Sequence, residues 1–167
     1  KESIAEFLGK GLPAGPGAAA GRIALTSDQA VKMKLSGERI VLVREETSPD
    51  DIHGMDAAGG FLTVRGGMTS HAAVVARQMG KVCVVGCEDI EVIGSHSVRV
   101  GTKVFREGDY ISINGSTGNV YAGDIPVMDS EIIQVIQGKL DPKTSEKYRL
   151  FSMLLSWAAD EKKLKVR

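Results

Sequence analysis

Seven consecutive residues carry the clearest chemistry in this chain: Arg65-Gly66-Gly67-Met68-Thr69-Ser70-His71. They sit between an apolar run at 61–64 and a helical pattern in which Ala72, Val75, Ala76 and Met79 share one stripe. Two glycines allow backbone conformations closed to other residues and close approach by a ligand. Either Thr69 or Ser70 can cap the helix that follows. The first-turn amides then offer free N–H groups, and the helix dipole adds partial positive charge. Such a glycine loop leading into a helix is an anion site. A histidine in the first turn lies beside that anion. The positive helix end disfavours an imidazolium, and a neutral imidazole keeps a nucleophilic nitrogen. Arg65 is placed to add a charge-assisted contact. The residues therefore suit a phosphohistidine. Spacing alone leaves two plainer readings open: a surface histidine at a helix start, and a non-catalytic loop that only holds an anion. The loop is not a Walker motif, because no Gly-Lys-Ser/Thr follows the glycines.

The elements around this segment alternate. A short strand is expected at 22–25, a helix from Ser27-Asp28 to Leu35 closed by Ser36-Gly37, and a strand buried on both faces at 40–43. Ser48-Pro49 followed by Asp50 and Asp51 starts a short helix to about Met55. Residues 61–64 form the next strand, Gly80 ends the helix after His71, and 82–85 form another strand. Strand-like pieces follow at 98–100, 103–105, 110–113 and 120–121, with turns at Asn114-Gly115 and Thr117-Gly118-Asn119. Alternating strands and helices indicate an α/β protein. Residues 9–21, GKGLPAGPGAAAG, hold five glycines and two prolines. That composition predicts an irregular lead-in, not a central strand. After Met128 two helices are expected, one around 132–136 and one from about Thr144 to Lys163, separated by Asp141-Pro142. The domain boundaries follow: a lead-in over 1–21, the site-bearing domain over 22–125 and a helical connector over 126–167.

Composition narrows the function. Of 167 residues, 21 are Lys or Arg and 21 are Asp or Glu, for a net charge of zero. That balance argues against nucleic acid as partner. No apolar run approaches the roughly 18 residues of a membrane span. Two cysteines make no disulfide framework, and Cys83 and Cys87 lack the companions a zinc site needs. Cys83 is expected in the core and Cys87, after Gly86, nearer the surface. His53 and His96 are expected on the surface, and three scattered histidines make no metal site. Glu45, Glu46, Asp50 and Asp51 resemble a metal cluster, but Ser48-Pro49 explains the last two as helix-start acids. Tyr148, Leu150, Phe151, Leu154, Leu155 and Trp157 are expected to pack rather than contact a ligand. Glycine, at 20 residues, is about 12% of the chain against a usual share near 7%. The chain begins at Lys1, not Met, and is read as a middle piece of a longer polypeptide.

Residues 66–87, GGMTSHAAVVARQMGKVCVVGC, closely resemble the phosphohistidine segment of the pyruvate, phosphate dikinase family. The likeness continues in GLPAGPGAAAG (11–21), LVREETSPDDIHGM (42–55), EGDYISINGSTGNVYAGDI (107–125) and LKVR (164–167). Gln78 stands where the family has a small residue. Phosphoenolpyruvate synthase and the first enzyme of the sugar phosphotransferase system have similar domains, but usually carry Arg before the Thr and often Cys in place of Ser. Met68 and Ser70 favour the dikinase. The resemblance implies a swivelling β/β/α phosphohistidine domain with a C-terminal helical connector. It implies that His71 is the catalytic acceptor, that Arg65, Gly66, Gly67, Thr69 and Ser70 hold the phosphoryl group, and that no metal binds here. An N-terminal ATP-grasp domain and a C-terminal phosphoenolpyruvate/pyruvate barrel of the same polypeptide would be the partners, with Mg2+ in the full-length enzyme, in a cytoplasmic homodimer. The glycine- and proline-rich 9–17 would be one hinge. Thr69 resembles the residue that plant dikinases phosphorylate to switch themselves off.

Overall fold

A computed structural model describes residues 6–127, 131–136 and 138–160. The apolar runs form the centre of a mixed sheet. Strands β3 (Ala18–Ala24), β4 (Ile40–Arg44), β5 (Gly60–Thr63) and β6 (Val82–Val85) run parallel in that order. Each connection is helical: α1 (Ser27–Leu35), then a 3-10 turn (Pro49–Asp51) leading into α2 (Ile52–Ala57), then α3 (His71–Met79). Antiparallel strands extend both sides. β10 (Tyr110–Asn114) pairs with β3, β11 (Asn119–Ala122) with β10 and β1 (Phe7–Lys10) with β11, while β2 (Leu12–Gly15) pairs with β6. Strands β7 (Ile90–Ile93), β8 (Ser97–Val100) and β9 (Lys103–Arg106) form a separate antiparallel sheet.

Alternation along the parallel strands explains the layering. Val41, Val43, Leu62 and Val84 point into one core with Leu8, Ile111, Ile113 and Val120 of the antiparallel strands and Ile90 and Val98 of the small sheet. Ile40, Leu42, Phe61, Cys83 and Val85 point into a second core, capped by Ala30, Met55, Ala72, Ala73 and Ala76 of the helices. Period-two side-chain alternation between two buried faces is why these runs are continuously apolar. The result is a β/β/α arrangement, as the fold class expected.

The glycine- and proline-rich start departs from the expected lead-in. Most of residues 7–21 lie in β1, β2 and β3, with Gly11, Pro16 and Gly17 between the strands, and β3 is central in the sheet. Composition misleads here because the neighbours require small residues. A Cβ on Gly15 would lie 2.3 Å from the Lys81 carbonyl oxygen. Pro13 is tolerated because β2 is an edge strand, where a missing N–H costs little. Only Gly11 separates β1 from β2, yet they lie at opposite ends of the strand order, so the sheet curls until its edges approach. The Gly11 N–H donates to the Gly118 carbonyl at 2.9 Å. Strand β7 also escaped the sequence reading, because Glu91 interrupts its apolar pattern.

The chain divides into two compact units, residues 1–127 and 128–167. In the second, α4 (Glu131–Ile136) and α5 (Glu146–Asp160) follow the expected helical patterns. Ser145 starts α5: its Oγ accepts from the Tyr148 N–H and donates to Glu131 Oε2 at 2.8 Å. Tyr148 and Phe151 pair their rings, centroids 6.5 Å apart. The expected packing role fails for Leu150, Leu154, Leu155 and Trp157, which are all more than half exposed. The expected end of that helix and the LKVR match at 164–167 lie outside the described residues. Among the described residues no helix is long and apolar enough to cross a membrane.

Candidate functional site

The site forms where the parallel strands β4 and β5 end, the usual place for ligands in open α/β sheets. Hydrogen bonds fasten the exit of β5 to both neighbours. Val64 and Arg65 N–H groups donate to the Arg44 and Glu45 carbonyls, and the Cys87 N–H donates to the Thr63 carbonyl. The buried Thr63 hydroxyl donates to the Arg65 carbonyl at 2.7 Å. The chain then turns through Gly66, whose φ of 105° lies in the region that favours glycine. Gly86 approaches so closely that a Cβ there would lie 2.7 Å from the Gly66 carbonyl oxygen.

Ser70 is the residue that caps α3; its Oγ accepts from the Ala73 N–H at 3.4 Å. Gly80, at φ 64°, ends the helix. Ala72, Ala73, Val75 and Ala76 bury one side of α3 in the helical core. That packing fixes the helix start, and with it His71, against the sheet edge.

Glu46, Thr47, Thr63, Arg65, Gly66, Ser70, His71 and Ala72 line a pocket of about 240 Å3. Two of its polar atoms are shielded from solvent and have no hydrogen-bond partner: His71 Nε2 and Thr47 Oγ1. Unsatisfied buried polar atoms are uncommon and costly, about 1–3 kcal/mol each. Both atoms therefore gain from a ligand that supplies them with a partner. Free amides at the start of α3 give the pocket an anion preference.

Of the residues singled out from sequence, the pocket brings together Arg65, Gly66, Ser70 and His71. Gly67 and Thr69 lie outside its lining; Thr69 is exposed, and a Cβ on Gly67 would meet nothing within 4 Å. The Arg65 guanidinium is exposed and ion-paired to Glu45 at 3.1 Å. Sequence reasoning missed Thr47, Thr63 and Glu46. Thr47 had a faint signal: it directly precedes the Ser48-Pro49 helix start, which ties it to the exit of β4. Asp51 is buried, takes a hydrogen bond from Ser27 Oγ at 2.8 Å and lies 3.4 Å from Arg44 Nε. Among the described residues no group of three or more His, Cys, Asp or Glu is arranged to hold a metal.

His53 and His96 are exposed. Cys87 is fully buried, against the expectation of greater exposure, because it turns into the core between Thr63 and Ile90. Burial pushes the Cys87 thiol up to about 11; the Asp89 charge adds to this and a hydrogen bond with the Asp89 backbone offsets part of it. Burial pushes the Cys83 thiol up to about 12, partly offset by Arg77.

Residues 36–118 match the family described as PEP-utilising enzyme, mobile domain. The chain belongs to that mobile-domain family of phosphoenolpyruvate-utilising enzymes. Within it, the sequence groups with the pyruvate, phosphate dikinases. It is 48% identical to pyruvate, phosphate dikinase of Clostridium symbiosum over 163 residues, 97% of this chain and 17% of that protein. Identity is 52% to the Rhizobium meliloti enzyme over 128 residues, 76% of this chain and 14% of that protein. It is 46% to pyruvate, phosphate dikinase 2 of Oryza sativa over 163 residues, 97% of this chain and 17% of that protein. The chain thus spans about a sixth of the length of these relatives.

Proposed function

We propose that this chain is the phosphocarrier domain of a pyruvate, phosphate dikinase, with His71 as the residue that takes up and releases the phosphoryl group. The observation that carries the reading is the pair of unpartnered atoms, His71 Nε2 and Thr47 Oγ1, in one pocket at the start of α3. A ring-nitrogen lone pair forms the new bond to phosphorus while the bond from phosphorus to the donor's oxygen breaks. The ring's other nitrogen gives up its proton, and the donor oxygen leaves with the electron pair. The start of α3, the Ser70 hydroxyl and the Thr47 hydroxyl hold the attached phosphoryl oxygens. Transfer to the acceptor reverses these steps. Arg65 reaches the group by exchanging its partner Glu45 for the phosphoryl oxygens.

In the whole enzyme, an N-terminal ATP-grasp domain supplies the (pyro)phosphoryl group from ATP and phosphate, and a C-terminal barrel receives it on pyruvate. The overall products are phosphoenolpyruvate, AMP and pyrophosphate, and the reaction is reversible. The mobile domain moves between the two sites, and the parent is a cytoplasmic homodimer. Mg2+ acts in those other regions of the full-length enzyme. Thr69 is the regulatory position. It is exposed, and a phosphate there would sit two residues from His71 and repel an incoming phosphoryl group.

The test uses the full-length polypeptide and radiolabelled phosphoenolpyruvate. Acid-labile, base-stable label should appear in the wild type and be absent from His71→Asn. Equal labelling of His71→Asn would overturn the assignment.

A further inference from the structure

Arg77 stands in the last turn of α3, and its Nη2 donates to the Met68 carbonyl oxygen at 2.5 Å, nine residues earlier in the chain. The loop it reaches has few other restraints at its centre. A Cβ on Gly67 would meet nothing within 4 Å, Met68 is 40% exposed and Thr69 is exposed. The Thr63 hydroxyl fixes the loop's beginning at the Arg65 carbonyl, and the Ser70 N–H bonded to the Gly67 carbonyl fixes its end. Between them, Arg77 is the long-range restraint.

The consequence follows from peptide planarity. A trans peptide holds its N–H antiparallel to its C=O. Holding the Met68 carbonyl on the guanidinium therefore turns the Thr69 N–H away from Arg77. The free amides at the start of α3 and His71 follow directly in the chain. The guanidinium also neutralises carbonyl lone pairs that would repel an anion crossing the exposed loop.

We propose that Arg77 is a positioning residue for phosphoryl transfer at His71: it clamps the Met68 carbonyl so that the loop presents N–H groups, not carbonyl oxygens, to the incoming phosphoryl group. This rests on His71 being the phosphoryl acceptor. Arg77 itself is not among the residues that line the pocket.

Phosphoramidate, a small phosphoryl donor that needs no partner domain, tests the clamp on this chain. The His71 nitrogen bonds to phosphorus, the reagent's P–N bond breaks, and ammonia leaves with the proton given up by the ring. Arg77→Met should be labelled about tenfold more slowly than the wild type, the size expected for one lost charge-assisted hydrogen bond. Arg77→Lys, which keeps the charge and one donor, should recover most of that rate. Amide NMR spectra distinguish positioning from general damage. Arg77→Met should move the Met68 and Thr69 resonances and leave Ala72, Ala73 and Ala76 in place. If the wild type is labelled and Arg77→Met keeps pace with it, or its loop amides stay put, the clamp is wrong while the phosphohistidine reading stands. If the folded wild type takes no label, that reading fails and the clamp falls with it.

Discussion

His71 Nε2 and Thr47 Oγ1 line one pocket, and both are shielded from water without a hydrogen-bond partner. They come from different connections, Thr47 after β4 and His71 at the start of α3. The parallel pairing of β4 with β5 brings the two connections together at the C-terminal ends of these strands. A buried hydroxyl left unpaired in the resting protein is accounted for if it binds a phosphoryl oxygen during the reaction.

Thr47→Val removes that hydroxyl at nearly constant volume. Labelling of His71 should slow roughly tenfold or more, since hydrogen bonds to charged groups contribute about 1.5–3 kcal/mol. Stability should hold or rise slightly, because the substitution also removes an unsatisfied buried group. Thr47→Ser should keep most of the rate. Labelling kinetics and thermal unfolding on the same samples check both halves.

Glycine substitutions should divide by backbone geometry. Gly66→Ala forces a side chain onto φ 105° and within 3.0 Å of Ser70 Cβ, and Gly86→Ala meets the Gly66 carbonyl. Each should cost about 1 kcal/mol or more. Gly67→Ala meets nothing within 4 Å and has no positive φ, so its stability should stay near wild type. Urea denaturation measures all three.

Phe61 is fully buried between β5 and the helices that carry the site. Phe61→Ala should cost about 3–5 kcal/mol, a large share of a domain's stability. Loss of cooperative unfolding, followed by circular dichroism, is the readout.

The cysteines set an alkaline limit. Folded Cys83 and Cys87 ionise near 12 and 11, whereas an unperturbed thiol ionises near 9. Above about pH 9 the folded chain binds more protons than the unfolded one, so stability falls as pH rises towards 11. Below that window their contribution is complete. Cys87→Ala should lose less stability than wild type between pH 8 and about 10.5, measured by urea denaturation. In the native state at pH 8 neither thiol should react quickly with a disulfide reagent, while both should after unfolding.

The parallel strands and the helix after His71 were legible because their apolar periods match what the structure buries. Gly66, Ser70 and His71 were legible because local chemistry, a turn and a helix cap, placed them. Thr47 was not, since its place in the pocket depends on strand pairing that no local pattern reveals. The strands within residues 9–21 were hidden for a similar reason. Their glycines serve close approaches to Lys81 and Val85, contacts distant in sequence that composition presents only as flexibility.

The central claim is tested most directly by locating the phosphoryl group. The full-length protein, treated with phosphoenolpyruvate and digested under alkaline conditions, should yield one phosphopeptide, with the modification on His71 by tandem mass spectrometry. Phosphate on another residue, with His71 unmodified in a protein that turns over, would contradict the account.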